Sequence, residues 1–393
     1  MLLTVSLLLG LSGIMPLDSV PKRVSLLPLP LVYYTPETRL AYGAALTATF
    51  RSGRVRFKHD LNAVKIKQPA DSVAVRPSQV TFGVAYTQNQ QLLFYLPFQI
   101  FYTAPANRQN SYFFNGEVGY YRYSYYFFGV GQREVPRELY GVNYPRIRLN
   151  AFRQIARLSQ GKVYAGLRYQ YENFGVTTTE PGGLLTTGAI PGGRGSRLSG
   201  GGLGLFYDSR DQVFFPRRGV VADLTGLIRN RATALNPADA STTFDRYAAD
   251  VSSYHALGRH TVLAVNYFVS FTAGVAPFNA MSLLGGTKRM RGYYEGRFRD
   301  KNAALMQAEL RFDVYKRFGA VVFGGVGILG DDQQLLRAND PKTAYGAGLR
   351  FTINQRDHLN IRVDYGIGSA PYTDAAGRAV PSSGLYVTIG EAF

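Results

Sequence analysis

The stretch LMQAELRFDVY, Leu305–Tyr315, alternates with a period of two. Ala308, Leu310, Phe312 and Val314 share one face, and Gln307, Glu309, Arg311 and Asp313 share the other. A period of two is that of a β-strand, whose side chains point alternately to opposite faces. KVYAGLRYQYE (162–172) repeats the pattern: Val163, Ala165, Leu167, Tyr169 and Tyr171 oppose Tyr164, Gly166, Arg168, Gln170 and Glu172. In LAYGAALTATF (40–50) the face opposite Leu40, Tyr42, Leu46 and Phe50 is small or polar: Ala41, Gly43, Ala45, Thr47 and Thr49. A soluble sandwich also alternates, but it turns the apolar faces of two sheets into one core. Here nearly every long segment carries a full apolar face opposite a small or charged one. That matches strands with lipid outside and a polar lumen inside.

Outward from these segments, strands are predicted near 29–35, 39–51, 78–89, 91–103, 111–124, 145–156, 162–174, 198–209, 219–231, 244–257, 261–274, 303–317, 319–329, 343–354, 359–368 and 384–393. Sixteen is even, as single-chain bacterial barrels require. Short turns at 159–161, 258–260 and 356–358 alternate with long loops at 175–197, 275–302 and 369–383, the asymmetry of a membrane barrel. Residues 52–77 break that rule as a long segment on the short-turn side. The fold expected is all-β: a transmembrane antiparallel barrel over residues 28–393.

Composition agrees. Charged residues are 18%, against about 25% in typical soluble domains. The 28 Tyr, 25 Phe and 43 Gly suit strands with much apolar surface. With no Cys, disulfides, thiolate metal sites and cysteine nucleophiles are excluded. The net charge of +18 is spread along the chain rather than gathered on one face. This disfavours nucleic acid and points to outer-membrane lipids with anionic head groups. Residues 1–17 carry no charge and read as the apolar part of a secretory signal over 1–20. The usual basic residue before it and an A-x-A cleavage site are missing. The alternative, a short membrane helix, falls below the roughly 20 apolar residues needed to span.

The loop LGGTKRMRGYYEGRFRDKN, 284–302, has neither helical nor strand periodicity and carries four Arg and two Lys. A long basic loop between two clear strands has a role beyond connection. The final segment, GLYVTIGEAF, ends on Phe393; Leu385, Val387, Ile389 and Phe393 share a parity and are expected to face lipid, as does Glu391.

Arg291-Gly292-Tyr293 resembles the RGF/RGY signature of the inward-folded sixth extracellular loop of BamA/TamA-type outer-membrane proteins, the bacterial surface antigen family of barrel assembly factors and two-partner-secretion transporters. YTPET (34–38), YDSRDQVFFPRRG (207–219), APF (276–278), LGG (284–286), GRFRDKN (296–302) and the IGEAF ending support the resemblance, which covers residues 28–393. It implies a bacterial outer-membrane location and a non-enzymatic role in protein insertion into, or translocation across, that membrane. It implies partners of two kinds, a client barrel protein or a separate periplasmic chain, and no cofactor. The ending on Phe393 resembles the family's C-terminal insertion signal. Two departures stand out. About 27 residues precede the first strand, too few for the POTRA domains that family members usually carry. The loop arginine of the family meets acids on two strands; Glu309 matches one, but Gly325 occupies the other position, in Phe323-Gly324-Gly325-Val326-Gly327.

Parity places Glu309 on the lumen face, where it is expected to anchor Arg291. Asp364, on the lumen parity of NIRVDYG with Arg362, is the stand-in for the absent acid. The contact either only pins the loop or acts as a latch. Pro28 and Pro30 cannot donate to a ladder. A weak seam between first and last strands, marked by Pro30, Tyr33 and Thr388, is therefore expected, unless the prolines merely precede the strand. Gly325–Gly330 spells G-x-G-x-x-G but is followed by the polar DDQQLLRAND, not a helix, so dinucleotide binding is excluded. The four His are scattered without ligand spacing, and no Ser/His/Asp set falls in one layer. The alternative function is a passive channel or a scaffolding barrel.

Overall fold

The structure is a computed structural model describing residues 5–6, 24–35, 39–51, 76–103, 111–131, 135–332, 335, 340–355, 358–374 and 376–393, with the backbone alone at 5–6 and 32–35. Among these, sixteen long strands run in order: β1 (Val24–Thr35), β2 (Arg39–Phe50), β3 (Ser78–Thr87), β4 (Leu92–Thr103), β5 (Ser111–Phe127), β6 (Glu138–Arg157), β7 (Lys162–Thr178), β8 (Ser196–Asp208), β9 (Gly219–Ala234), β10 (Thr242–Ala256), β11 (Thr261–Gly274), β12 (Asn302–Tyr315), β13 (Phe318–Gly330), β14 (Lys342–Asn354), β15 (Leu359–Thr373) and β16 (Ala379–Ile389). Each pairs antiparallel with the next, for example Leu310↔Val322 and Arg350↔Arg362. The architecture is a sixteen-stranded antiparallel barrel. At its seam, the two-residue strand Val5–Ser6 pairs with Tyr34 and Tyr33 on the outer edge of β1 and touches β16. The rest of the expected signal segment lies outside the described residues, as does nearly all of 52–77.

The wall has the reverse of a soluble protein's polarity. Leu167, Leu203, Val314 and Leu349 are each more than 60% exposed, while Glu309, Arg311, Arg362 and Asp364 are at most 2% exposed. Exposed large apolar side chains over the whole outer surface are stable only against lipid. The faces expected for 40–50, 162–172 and 305–315 lie accordingly: apolar outward, small or charged inward.

Three expectations need correction. The lumen is not uniformly polar. Phe101, Phe113, Phe152, Tyr164 and Phe206 form one aromatic cluster inside it, and Phe127, Tyr140, Tyr144, Phe174 and Phe278 another. The second cluster explains why β6 begins at Glu138 rather than 145: Tyr140, Val142 and Tyr144 point inward against aromatics, so the polar face vanishes from the pattern. Residues 369–383 are not a long loop. β15 and β16 continue to Tyr372↔Val380 and close through Asp374, whose Oδ1 accepts the Ala376 and Arg378 amides at 2.9 Å. Finally, Phe393 does not face lipid. Gly390, at φ 81°, ends the strand and resets the parity. Glu391 then turns inward, and the Phe393 ring lies 5.6 Å from the Arg311 guanidinium carbon.

Candidate functional site

The basic loop between β11 and β12 folds into the lumen as a built structure. It leaves β11 at Gly274, makes a short turn over Phe278–Ala280, and forms a ribbon in which Ser282–Leu284 pairs with Phe298–Asp300. Alternation could not reveal this ribbon, because three-residue strands hold less than one full repeat of each face. Phe278 seats in the upper aromatic cluster, and its carbonyl accepts Arg299 Nη1 at 2.9 Å. Leu284, Met290, Tyr293 and Phe298 pack against Phe268, Leu305 and Leu329 of the wall. Between the ribbon strands, Gly286 N–H donates to the Tyr293 carbonyl at 2.9 Å, and Met290 and Gly292 take positive φ of 56° and 117°. This turn thrusts Arg291 toward the wall.

The Arg291 fork grips two carboxylates. Nη1 donates to Asp364 Oδ2 at 2.6 Å, and Nη2 donates to Glu309 Oε1. All three side chains are at most 1% exposed. The guanidinium lies over the Phe323 ring, 3.6 Å from its centroid. Planar, delocalised guanidinium suits both the two-acid fork and the ring face. The pairs extend into a chain. Arg311 bonds Glu309 at 2.8 Å, Arg350 bonds Asp364 at 2.5 Å and Glu391 at 2.9 Å, and Arg362 bonds Asp364 at 2.9 Å and the loop carbonyl of Thr287 at 2.7 Å. Three strands, the segment after β16 and the loop thus share three acids and four arginines. Arg311 Nη2 also donates to the Phe393 carbonyl at 3.0 Å.

Gly292 and Tyr293 lie on β15 and β16. Gly292 N–H donates to Tyr386 Oη at 2.9 Å, and that hydroxyl donates to the Tyr293 carbonyl at 3.0 Å. Tyr293 Oη donates to the Thr343 carbonyl at 2.7 Å and accepts the Ala370 amide at 3.1 Å. The motif approaches β15 over Gly366 and Gly368. A Cβ on Gly366 would stand 2.7 Å from the Arg291 carbonyl, and one on Gly368 would enter the Tyr293 ring. Glycine is required here for close backbone approach.

Among the sequence-predicted residues, the structure brings together Arg291, Gly292, Tyr293, Glu309 and Asp364. Gly325 faces Gln307 instead. It does not bring Tyr33 and Thr388 together. Tyr33 pairs with Ala41 beside the 36–38 connection, and Thr388 pairs with Arg362 beside the 355–358 turn. Those connections follow an odd and an even strand, so the two residues sit at opposite ends of the seam. Pro28 and Pro30 lie within β1, opposite Leu46 and Ala44, rather than before it. Tyr386, Gly366, Gly368 and Arg350 are the contacts that sequence reasoning missed. A lumen-parity tyrosine and two glycines two residues apart carry little signal without the loop that rests on them. Among the described residues, no cluster of His, Asp and Glu has the make-up of a metal site.

Residues 71–393 match the model of the Omp85 superfamily domain. No curated protein sequence matches. Solved structures share the fold at low identity. BamA from Haemophilus ducreyi lacking POTRA domains 1–3 is similar with TM-score 0.51 and 12% identity, over 94% of this chain and 70% of that one. CdiB from Acinetobacter baumannii is similar with TM-score 0.53 and 14% identity, over 93% and 60%. CdiB from Escherichia coli is similar with TM-score 0.54 and 12% identity, over 98% and 66%. The chain therefore spans 60–70% of the length of these relatives.

Proposed function

Because the chain belongs to the Omp85 superfamily of outer-membrane β-barrels, we propose that it passes client polypeptide into or across the outer membrane, through a seam between β1 and β16 governed by the lumenal loop. Members of the superfamily are non-enzymatic transport and assembly barrels, and no chemical step is assigned to this chain. The observation that carries the reading is the bond from Tyr386, on the seam strand β16, to both Gly292 and Tyr293 of the loop. Loop and seam strand then move together, so an occupied loop site holds β16 in place and a displaced loop loosens it. Pro28 and Pro30 support the same reading, since neither gives β1 an N–H for a seam ladder.

Two sets of partners follow. The client is an unfolded barrel protein or secreted chain, met directly or through a separate periplasmic chain. The lipid partner carries anionic head groups: Lys316 and Arg317 stand at the turn between outward-facing Tyr315 and Phe318, 63% and 57% exposed, and cations beside aromatics suit a membrane surface. Phe393, locked by its carbonyl to Arg311, serves as the insertion signal before folding and as a clasp afterwards. Reconstitution into liposomes tests the function. Faster folding of a client barrel is expected; ion conductance with no effect on client folding would replace this reading with that of a passive channel.

A further inference from the structure

On the wall opposite the arginine chain, a cavity of about 310 Å³ lies between β6, β7, β8, β10 and the loop. Five cations line it, Arg146, Arg148, Arg246, Lys288 and Arg289, against two carboxylates, Glu172 and Glu295. Two of the cations are neutralised in place. Arg146 bonds Glu172 at 2.7 Å, and Arg289 bonds Asp250 at 2.9 Å. Glu172 is further occupied by Asn279 Nδ2 at 2.8 Å. The remaining three are not. Arg148 and Lys288 make no ion pair or side-chain hydrogen bond among the described residues, and both are exposed to the lumen. Arg246 donates Nη2 to the Ala280 carbonyl, while its buried Nε has no partner.

Like charges gathered in one cavity repel each other and lower the stability of the barrel unless an anion fills the space between them. Glu295 and Glu117, the cross-strand partner of Arg148, offset two of the three, so one positive charge stays in excess. Two guanidinium groups and an ammonium offer many donors and no acceptor, which fits a ligand with several acceptor oxygens and more than one negative charge. A volume of this size holds a small molecule. The strand wall separates it from membrane lipid, so the ligand arrives through the lumen in soluble form.

We propose that this cavity binds a small multivalent oxyanion of the phosphate class between Arg148, Arg246 and Lys288. The ligand would tie the loop tip to β6 and β10, on the side of the lumen away from Glu309 and Asp364. This inference stands independently of client handling, since it concerns occupancy of the lumen alone.

Inorganic pyrophosphate is the probe, titrated calorimetrically into the full chain in detergent at low ionic strength. Saturable binding at one site is expected, falling steeply with added salt. Arg148→Gln with Lys288→Gln should weaken it at least tenfold. Arg197→Gln with Arg229→Gln removes the same net charge from exposed positions outside the cavity and should leave affinity within twofold. Absence of saturable binding, or equal losses in both double variants, overturns the site. If the first double variant fails to fold, Lys288→Gln alone is decisive: it changes only the loop tip, a several-fold loss is expected, and unchanged affinity overturns the proposal.

Discussion

Tyr386 and Tyr293 are joined through the last strand's hydroxyl and the loop's carbonyl at 3.0 Å, and the same hydroxyl receives the neighbouring Gly292 amide. One side-chain atom therefore couples the lumenal loop to the strand at the barrel seam. Tyr386→Phe keeps the ring and removes both bonds. The buried Gly292 amide is left unpaired, at a cost of about 1–3 kcal/mol, while the Tyr293 carbonyl keeps its bond from Gly286. The expected result is a small loss of stability in urea unfolding and a larger change in client folding rate. A change in stability alone would show that the contact is only structural.

Arg291 serves two acids at once, so lysine cannot replace it. Breaking a buried pair costs about 3–5 kcal/mol, and less where water reaches the site. Arg291→Lys should lower the unfolding midpoint nearly as far as Arg291→Ala. Exchanging the charges of residues 291 and 309 should not restore stability, because Asp364 would then face the new carboxylate and Arg311 the new cation. In a double-mutant cycle, Glu309→Gln and Asp364→Asn should be non-additive by more than 0.5 kcal/mol, the range expected of residues within one network. Simple additivity would mean that the two acids act independently.

Gly368→Val should expel the motif from β15, since even a Cβ there enters the Tyr293 ring. In liposomes, trypsin should then cut the arginine-rich loop that the unmodified barrel protects. Gly324→Ala is the matched control: its Cβ would meet only the Ala344 carbonyl, at an ordinary 3.7 Å. Protection that survives Gly368→Val would contradict the described approach.

Leu167 is 65% exposed near the middle of β7, while Thr178 ends the same strand. Leu167→Arg should destabilise the barrel in bilayers by about 2–4 kcal/mol, and Thr178→Arg by about 0–1 kcal/mol, the depth dependence of cations on a lipid face. Equal costs, read from folding titrations in lipid vesicles, would contradict a membrane-embedded outer surface.

The wall was legible in the sequence because lipid and lumen impose opposite chemistry on alternate residues, as Leu310 and Glu309 illustrate. Parity likewise places Glu309 and Asp364 inside, but the choice of Arg291 as their partner rests on the resemblance of its loop to the surface-antigen family's signature. Legibility ended where the lumen stopped being polar. Tyr140 and Tyr144 read as neither face because aromatics cover them from within. It ended again at Gly390, whose positive φ reverses the direction of everything after it and hides the inward turn of Glu391. The ends of the seam were misjudged at Tyr33 and Thr388 because period-two reading gives a residue's face and says nothing of its height in the barrel.

The most direct test of the account is to lock the seam. Cysteine at Thr388 should be combined in turn with cysteine at Ser25, Leu26 or Leu27, which occupy the same end of the barrel on β1. In liposomes, the oxidised variant that crosslinks should lose its acceleration of client folding and regain it on reduction. A crosslinked barrel that accelerates client folding as well as the reduced one would contradict the account.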